Sequence, residues 1–74
     1  MDRFRFSVII EKDENGYIAT CPELQGCYAQ GDTYEDVLEN IRDVIRLHIE
    51  DRLSAGEKIP RSEIINLTTV DVAV

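Results

Sequence analysis

The 74-residue sequence predicts an α+β fold in the order β-β-β-α-β: a three-stranded antiparallel meander, one long helix packed on one face, and a short C-terminal strand. Three observations predict it: apolar residues alternate near the start, they recur every three or four residues in the middle, and turn-forming residues separate these stretches. Neither a meander nor a helix alone can bury its apolar side, so the helix must cover the sheet. Residues 1–74 should form one domain.

The first strand is predicted over Phe4 to Ile10, because apolar residues occupy every second position there. One face of this strand carries Phe4, Phe6, Val8 and Ile10. A polar turn follows and ends in Asn15-Gly16, a pair that readily adopts positive φ. The second strand, Tyr17 to Cys21, should therefore fold back antiparallel to the first.

A tight corner should separate the second strand from the third. Pro22 has no N–H to donate to a strand ladder and holds Cys21 extended, so the second strand stops there. Gly26 allows the backbone to turn. The third strand is predicted over Cys27 to Gln30 and completes the meander.

The long helix should begin after Thr33, whose hydroxyl is suited to cap it, with acidic residues in the first turn. Gly56 is expected to end it. The residues that predict its buried side recur at spacings of three and four: Tyr34, Val37, Leu38, Ile41, Val44, Ile45, His48, Ile49 and Leu53.

The last residues, Val70 to Val74, alternate again and predict a final strand. It could pair with the first strand of its own sheet or with another subunit. A chain of this size buries only about 60% of the surface that its unfolded form exposes, so its own core is marginal. The valines, together with Ile9, Ile18 and Tyr28 on the sheet face opposite the helix, predict at least a homodimer.

The net charge and the hydrophobic content limit the kinds of partner that the protein is suited to bind. The net charge is −7, with most of the excess in residues 32–58, and 43% of the residues are hydrophobic. Such an acidic chain is poorly suited to nucleic-acid phosphates and well suited to a basic protein partner. Acidic surfaces also simply keep small proteins in solution, which is the alternative interpretation. No apolar run approaches the roughly 20 residues that cross a bilayer, so we expect a cytoplasmic protein without a membrane partner.

The residues that could carry chemistry do not form a recognisable site. Cys21 and Cys27 are expected to be reduced, buried hydrophobes, and with His48 far away they do not match a zinc pattern. His48 lies on the apolar stripe of the helix and should have a packing role. There is no phosphate-binding glycine loop and no paired nucleophile and base. We therefore expect no catalytic residue, metal or cofactor, and no enzymatic activity.

Four short stretches, taken in order, resemble the HicB-like antitoxin family: Gly16-Tyr17-Ile18-Ala19, Pro22-Glu23-Leu24-Gln25-Gly26-Cys27, Gln30-Gly31-Asp32-Thr33, and the helix from Tyr34 with Leu38, Asn40 and Ile41. With the first strand and Ile59-Pro60, the resemblance covers roughly residues 3 to 61. It implies a partial ribonuclease-H-like fold. It also implies an antitoxin that neutralises a small, basic, HicA-like mRNA-cleaving toxin by covering its RNA-binding and catalytic surface.

Under this hypothesis the candidate partner-binding residues are Asp13 and Glu14 in the first turn, Tyr17 on the sheet, and Glu23, Leu24 and Gln25 at the corner. Many members of the family carry a DNA-binding segment after this domain, whereas this chain shows no basic recognition element, so we expect no direct nucleic-acid binding. Two alternatives stay open. One is an orphan structural or ligand-sensing oligomer without a toxin, and the other is a metal-dependent ribonuclease-H-like nuclease, which the missing acidic cluster disfavours.

Overall fold

The structure, a computed structural model, describes residues 3–60 and 68–74. Its elements are β1 (Ile9–Asp13), β2 (Gly16–Thr20), β3 (Tyr28–Gly31) and α1 (Tyr34–Ser54). The strands form one antiparallel sheet in the order β1-β2-β3. The predicted meander followed by one long helix is therefore confirmed.

A two-residue turn, Glu14 and Asn15, joins β1 to β2, with Asp13 paired to Gly16 across it. The side chain of Asp13 accepts a hydrogen bond of 2.8 Å from the Asn15 backbone N–H, which fixes the turn locally. Of the predicted Asn-Gly pair, only Gly16 has a positive φ, 128°. The glycine therefore provides the left-handed backbone at the first position of β2.

The first strand begins at Ile9 and not at Phe4, which corrects the prediction. In the observed register Ile9 pairs with Thr20, the last residue of β2, so the residues before Ile9 run past the end of their partner strand. They would lie opposite the corner, where Pro22 cannot donate. Phe6, Val8 and Ile10 nevertheless pack against the core. The predicted face is therefore right for these three residues, whereas Phe4, predicted on the same face, is exposed, and the predicted pairing is too long.

The helix lies across β2 and β3. Its closest approach to the sheet is at Gly31, where an added Cβ would lie 2.6 Å from the backbone nitrogen of Val37. The core consists of the small and apolar side chains on the helix-facing side and at the corner: Ala19, Cys21, Leu24, Cys27, Ala29, Val37 and Ile41. Glycine at position 31 and alanines at 19 and 29 allow the helix to sit close to the strands.

Both helix ends match the sequence prediction. The Thr33 hydroxyl accepts a 3.0 Å hydrogen bond from the Asp36 backbone N–H, as an N-cap should. At the other end Gly56 has φ 75°, its N–H donates to the carbonyl of Leu53, and the N–H of Glu57 donates to the carbonyl of Arg52. These bonds satisfy carbonyls that the last turn leaves unpaired.

The helix is longer than the sheet that supports it. Its 21 residues span about 31 Å, whereas a five-residue strand spans about 17 Å. Its two fully buried side chains, Val37 and Ile41, lie in the first half, whereas Leu47 and Leu53 in the second half are exposed. Tyr34 and Leu53 were predicted on the buried side, and their exposure corrects that prediction. We call residues 44–54 the distal half of α1. No helix in the described part of the chain is long and apolar enough to cross a membrane.

The predicted terminal strand is not formed. Residues 68–74 belong to no strand, and Val70, Val72 and Val74 are exposed. A strand exists only when its backbone pairs with a neighbour, and within the described residues the sheet consists of β1, β2 and β3 alone. Although these valines alternate in the sequence, they pair with no strand among the described residues of the chain.

Candidate protein-binding surface

Three of the predicted partner-binding residues lie together at one end of the sheet. Asp13 at the end of β1 and Glu14 in the β1–β2 turn are exposed, and Tyr17 follows them on β2. The half-buried Tyr17 ring meets the Tyr34 ring edge to face, with 6.5 Å between centroids and planes at 82°. The Lys12 ammonium lies 5.6 Å from the Tyr17 ring centroid. These contacts hold Tyr17 in one orientation beside the acidic turn.

The start of the helix adds acidic residues to this end of the sheet. Asp32, Glu35 and Asp36 are exposed and border the same open clefts as Asp13 and Glu14. We call these five carboxylates the acidic end. Two open clefts of about 560 and 570 Å³ adjoin it. The arrangement offers several carboxylates and two tyrosine rings on one surface.

Asp32, Glu35 and Asp36 were not predicted as contact residues, although residues 32–58 were predicted to carry most of the acidic excess. The strand register explains the proximity, because Tyr17 at the start of β2 pairs with Gly31 at the end of β3. The chain therefore leaves the sheet and enters the helix directly beside the β1–β2 turn. This proximity depends on the register between β2 and β3, which the residues of neither strand specify alone.

The other three predicted contact residues lie at the opposite end of β2, so the structure does not bring the six together. A five-residue strand separates the two ends by about 17 Å. Leu24 is only 1% exposed and belongs to the core, whereas Gln25 is exposed. The Glu23 carboxylate accepts a 3.0 Å hydrogen bond from the backbone N–H of Ser7. Their role as contact residues stays a prediction.

The sheet face opposite the helix carries apolar side chains between polar ones. Tyr28 is 62% exposed and Ile18 36% exposed, and Thr20 and Gln30 lie beside them. An open cleft of about 550 Å³ runs from this face to the corner that includes Gln25. This mixture of aromatic, aliphatic and amide groups is typical of protein-binding surfaces.

The two cysteines have the properties of core residues. Burial raises the pKa of the Cys21 thiol to about 11, and the neighbouring Cys27 and Glu23 add to the increase. Burial also raises the pKa of the Cys27 thiol. Neutral thiols are poor nucleophiles and poor metal ligands. In residues 3–60 and 68–74, no three His, Cys, Asp or Glu side chains are grouped so that they could hold a metal ion. The expectation that the protein needs no metal stays a prediction.

Comparisons with known proteins show the family to which the chain belongs. Residues 6–72 match the model of a family described as the HicB-like antitoxin of bacterial toxin–antitoxin systems. The chain is 43% identical over 65 residues to the UPF0150 protein Ta0767 of Thermoplasma acidophilum, which covers 86% of this chain and 94% of the relative. It is 38% identical over 63 residues to the UPF0150 protein ssr1765 of Synechocystis sp., covering 84% and 80%.

A UPF0150 protein of Helicobacter pylori is 51% identical over 51 residues, which is 69% of each chain. No solved structure matches significantly. The family match spans the three strands, the helix and the valines Val70 and Val72, so it covers the whole folded unit. The chain belongs to the HicB-like antitoxin family of bacterial toxin–antitoxin systems.

Proposed function

We propose that the protein neutralises a small, basic, HicA-like mRNA-cleaving toxin by covering the toxin's RNA-binding and catalytic surface. The observation that carries this proposal is the family match over residues 6–72. The net charge of −7 supports it, because a toxin that binds RNA presents lysines and arginines that an acidic partner can occupy. Membership of an antitoxin family favours a protein that acts by binding and not by catalysis.

The acidic end supplies the charge for such an interface. Asp13 ends β1 and Glu14 begins the two-residue turn, and both residues are exposed, so their carboxylates are accessible to a partner. Carboxylates at these positions compete with RNA phosphates for the same cationic side chains. Their attraction should increase the rate of association and weaken as salt screens the charges.

Tyr17 and Tyr34 would contribute the uncharged part of the interface. Both rings are already held in place by their mutual contact, so little side-chain freedom is lost when a partner packs on them. Tyrosine is among the residues on which binding energy concentrates in protein interfaces. Gln25 and Glu23, with Leu24 supporting the corner from the core, would form a second and smaller contact at the other end of β2.

A binding experiment tests the acidic end. The binding partner is the product of a neighbouring gene that encodes a small lysine-rich protein, purified and titrated against this chain at two salt concentrations. The variant Asp13→Lys/Glu14→Lys should bind at least 10-fold more weakly at low salt. The control is Glu50→Lys/Asp51→Lys, which makes the same change in net charge on the exposed side of the distal half of α1 and should bind nearly as well as the wild type.

Equal losses in the two double variants would show that the charge matters and its position does not. If no such gene lies beside this one, or if its product does not bind, the orphan oligomer is favoured instead. A cytoplasmic location and self-association are further parts of the proposal. The partner that contacts Asp13, Glu14 and Tyr17 is expected to be the toxin and not nucleic acid.

A further inference from the structure

One cleft at the acidic end already contains a cation, the ammonium of Lys12. This ammonium lies 5.6 Å from the centroid of the Tyr17 ring. Lys12 pairs with Tyr17 directly across the β1–β2 ladder, so its side chain reaches the ring from the neighbouring strand. The face of an aromatic ring attracts cations, and the contact shows that the face of Tyr17 is open to one.

The carboxylates that line this cleft form no ion pair with the described residues of the chain. The cleft has a volume of about 570 Å³, and Lys12, Tyr17 and Tyr34 line it. Its four carboxylates belong to Asp13, Glu14, Asp32 and Glu35. Within residues 3–60 and 68–74, the ion pair that does form joins Arg46 to Asp43 on the helix. One ammonium among four carboxylates leaves an excess of negative charge around the Tyr17 ring.

Lys12 is a weakly held occupant of the cleft. Its side chain is exposed, and a cation–π contact at an exposed site contributes little. A guanidinium suits the cleft better than an ammonium, because it is planar, stacks on an aromatic ring and donates two N–H groups to one carboxylate. The Tyr34 ring meets Tyr17 edge to face at 6.5 Å, so the surface for stacking is already oriented.

We propose that this cleft binds one arginine side chain of the basic partner, stacked on Tyr17 and hydrogen-bonded to the surrounding carboxylates, and that Lys12 occupies the place of this guanidinium in the free protein. The inference rests on the proposed function for the nature of the partner. It adds which side chain of the partner is recognised and which residue of this chain competes with it. Removing the Lys12 ammonium should therefore strengthen binding by more than the change in net charge explains.

A titration followed by nuclear magnetic resonance tests the cleft with the full chain. The probes are a capped Gly-Arg-Gly-Arg-Gly peptide and its lysine counterpart. The arginine peptide should shift the amides of Tyr17 and Tyr34 most and bind at least about threefold more tightly than the lysine peptide. Tyr17→Phe keeps the ring and should keep this preference, whereas Tyr17→Leu should lose it. Circular dichroism checks that both variants are folded.

A pair of lysine variants tests the competition. Lys12→Ala and Lys58→Ala make the same change in net charge, and Lys58 is exposed beyond the C-terminal end of α1. Lys12→Ala should bind the arginine peptide at least about threefold more tightly than Lys58→Ala. Equal affinities of these two variants would overturn the proposal, as would equal binding of the two peptides, no binding, or shifts spread evenly over the acidic residues of the chain. The peptide replaces the toxin, so this result is independent of whether a toxin binds.

Discussion

Replacing Gly31 by alanine should destabilise the fold more than its size suggests, because of what the new methyl group meets. The added Cβ would lie 2.6 Å from the nitrogen and 2.9 Å from the Cα of Val37, and 3.0 Å from the carbonyl carbon of Asp36. All three are backbone atoms of the first helical turns. The Val37 N–H is already bonded to the Thr33 carbonyl at 3.0 Å, and its side chain is fully buried. Relief requires the helix to move away from β3.

Overpacking of this kind costs about 1–3 kcal/mol, and rigid backbone neighbours favour the upper end of that range. A domain of 74 residues has a free energy of unfolding of roughly 4–11 kcal/mol, so a loss of about 3 kcal/mol is a large share. It should lower Tm by about 12–24 °C. The measurement is urea denaturation of Gly31→Ala, of a control variant and of the wild type, followed by far-UV circular dichroism.

The matched control is Gly26→Ala. Gly26 has φ 76°, so alanine there is strained by about 1–2 kcal/mol, but nothing lies within 4 Å of the added Cβ. Both substitutions reduce the freedom of the unfolded chain equally, so that effect cancels in the comparison. If Gly31→Ala costs no more than Gly26→Ala, the close packing of the helix on β3 is not what fixes its position.

Three further predictions concern single contacts. Glu23→Ala should speed hydrogen exchange at the Ser7 amide and lower the free energy of unfolding by about 1–2 kcal/mol, since the carboxylate accepts that N–H; an unchanged exchange rate would contradict the bond. Thr33→Ala should lower the free energy of unfolding in urea by about 1 kcal/mol, whereas Thr33→Ser should stay close to the wild type; equal values for Thr33→Ala and the wild type would show that the cap contributes nothing. The raised pKa of Cys21 means that the folded state holds the thiol proton more tightly, so the free energy of unfolding should fall as pH rises from about 9 towards about 11; Cys21→Ala should show a smaller fall, and an identical fall would assign it to other groups.

The order of elements follows from local patterns that the structure retains. The alternation of Phe6, Val8 and Ile10 predicted the face that packs on the core, and Thr33 and Gly56 predicted the ends of the helix. The length of the first strand did not follow from its own residues, because pairing depends on where β2 ends. Alternation reports which side is buried, whereas the partner strand decides how far a ladder extends.

Only the part of the candidate surface that is continuous in sequence could be predicted, because the rest depends on how the strands pair. Asp13, Glu14 and Tyr17 are neighbours in sequence and remain so in the fold. The acidic residues of the helix start join them only because β3 ends beside the start of β2. The engagement of Glu23 with Ser7 joins positions 16 residues apart and depends on the chain path around the corner.

The unequal lengths of helix and sheet give the molecule a gradient of stability. Val37 and Ile41 anchor the first turns against the strands, whereas the turns around Leu47 and Leu53 rest on helical hydrogen bonds and partial cover. Local opening should therefore start at the far end of the helix and cost much less than global unfolding. Because the acidic end lies at the anchored extremity, the far turns can fray and reform while the carboxylates of the first turn keep their positions.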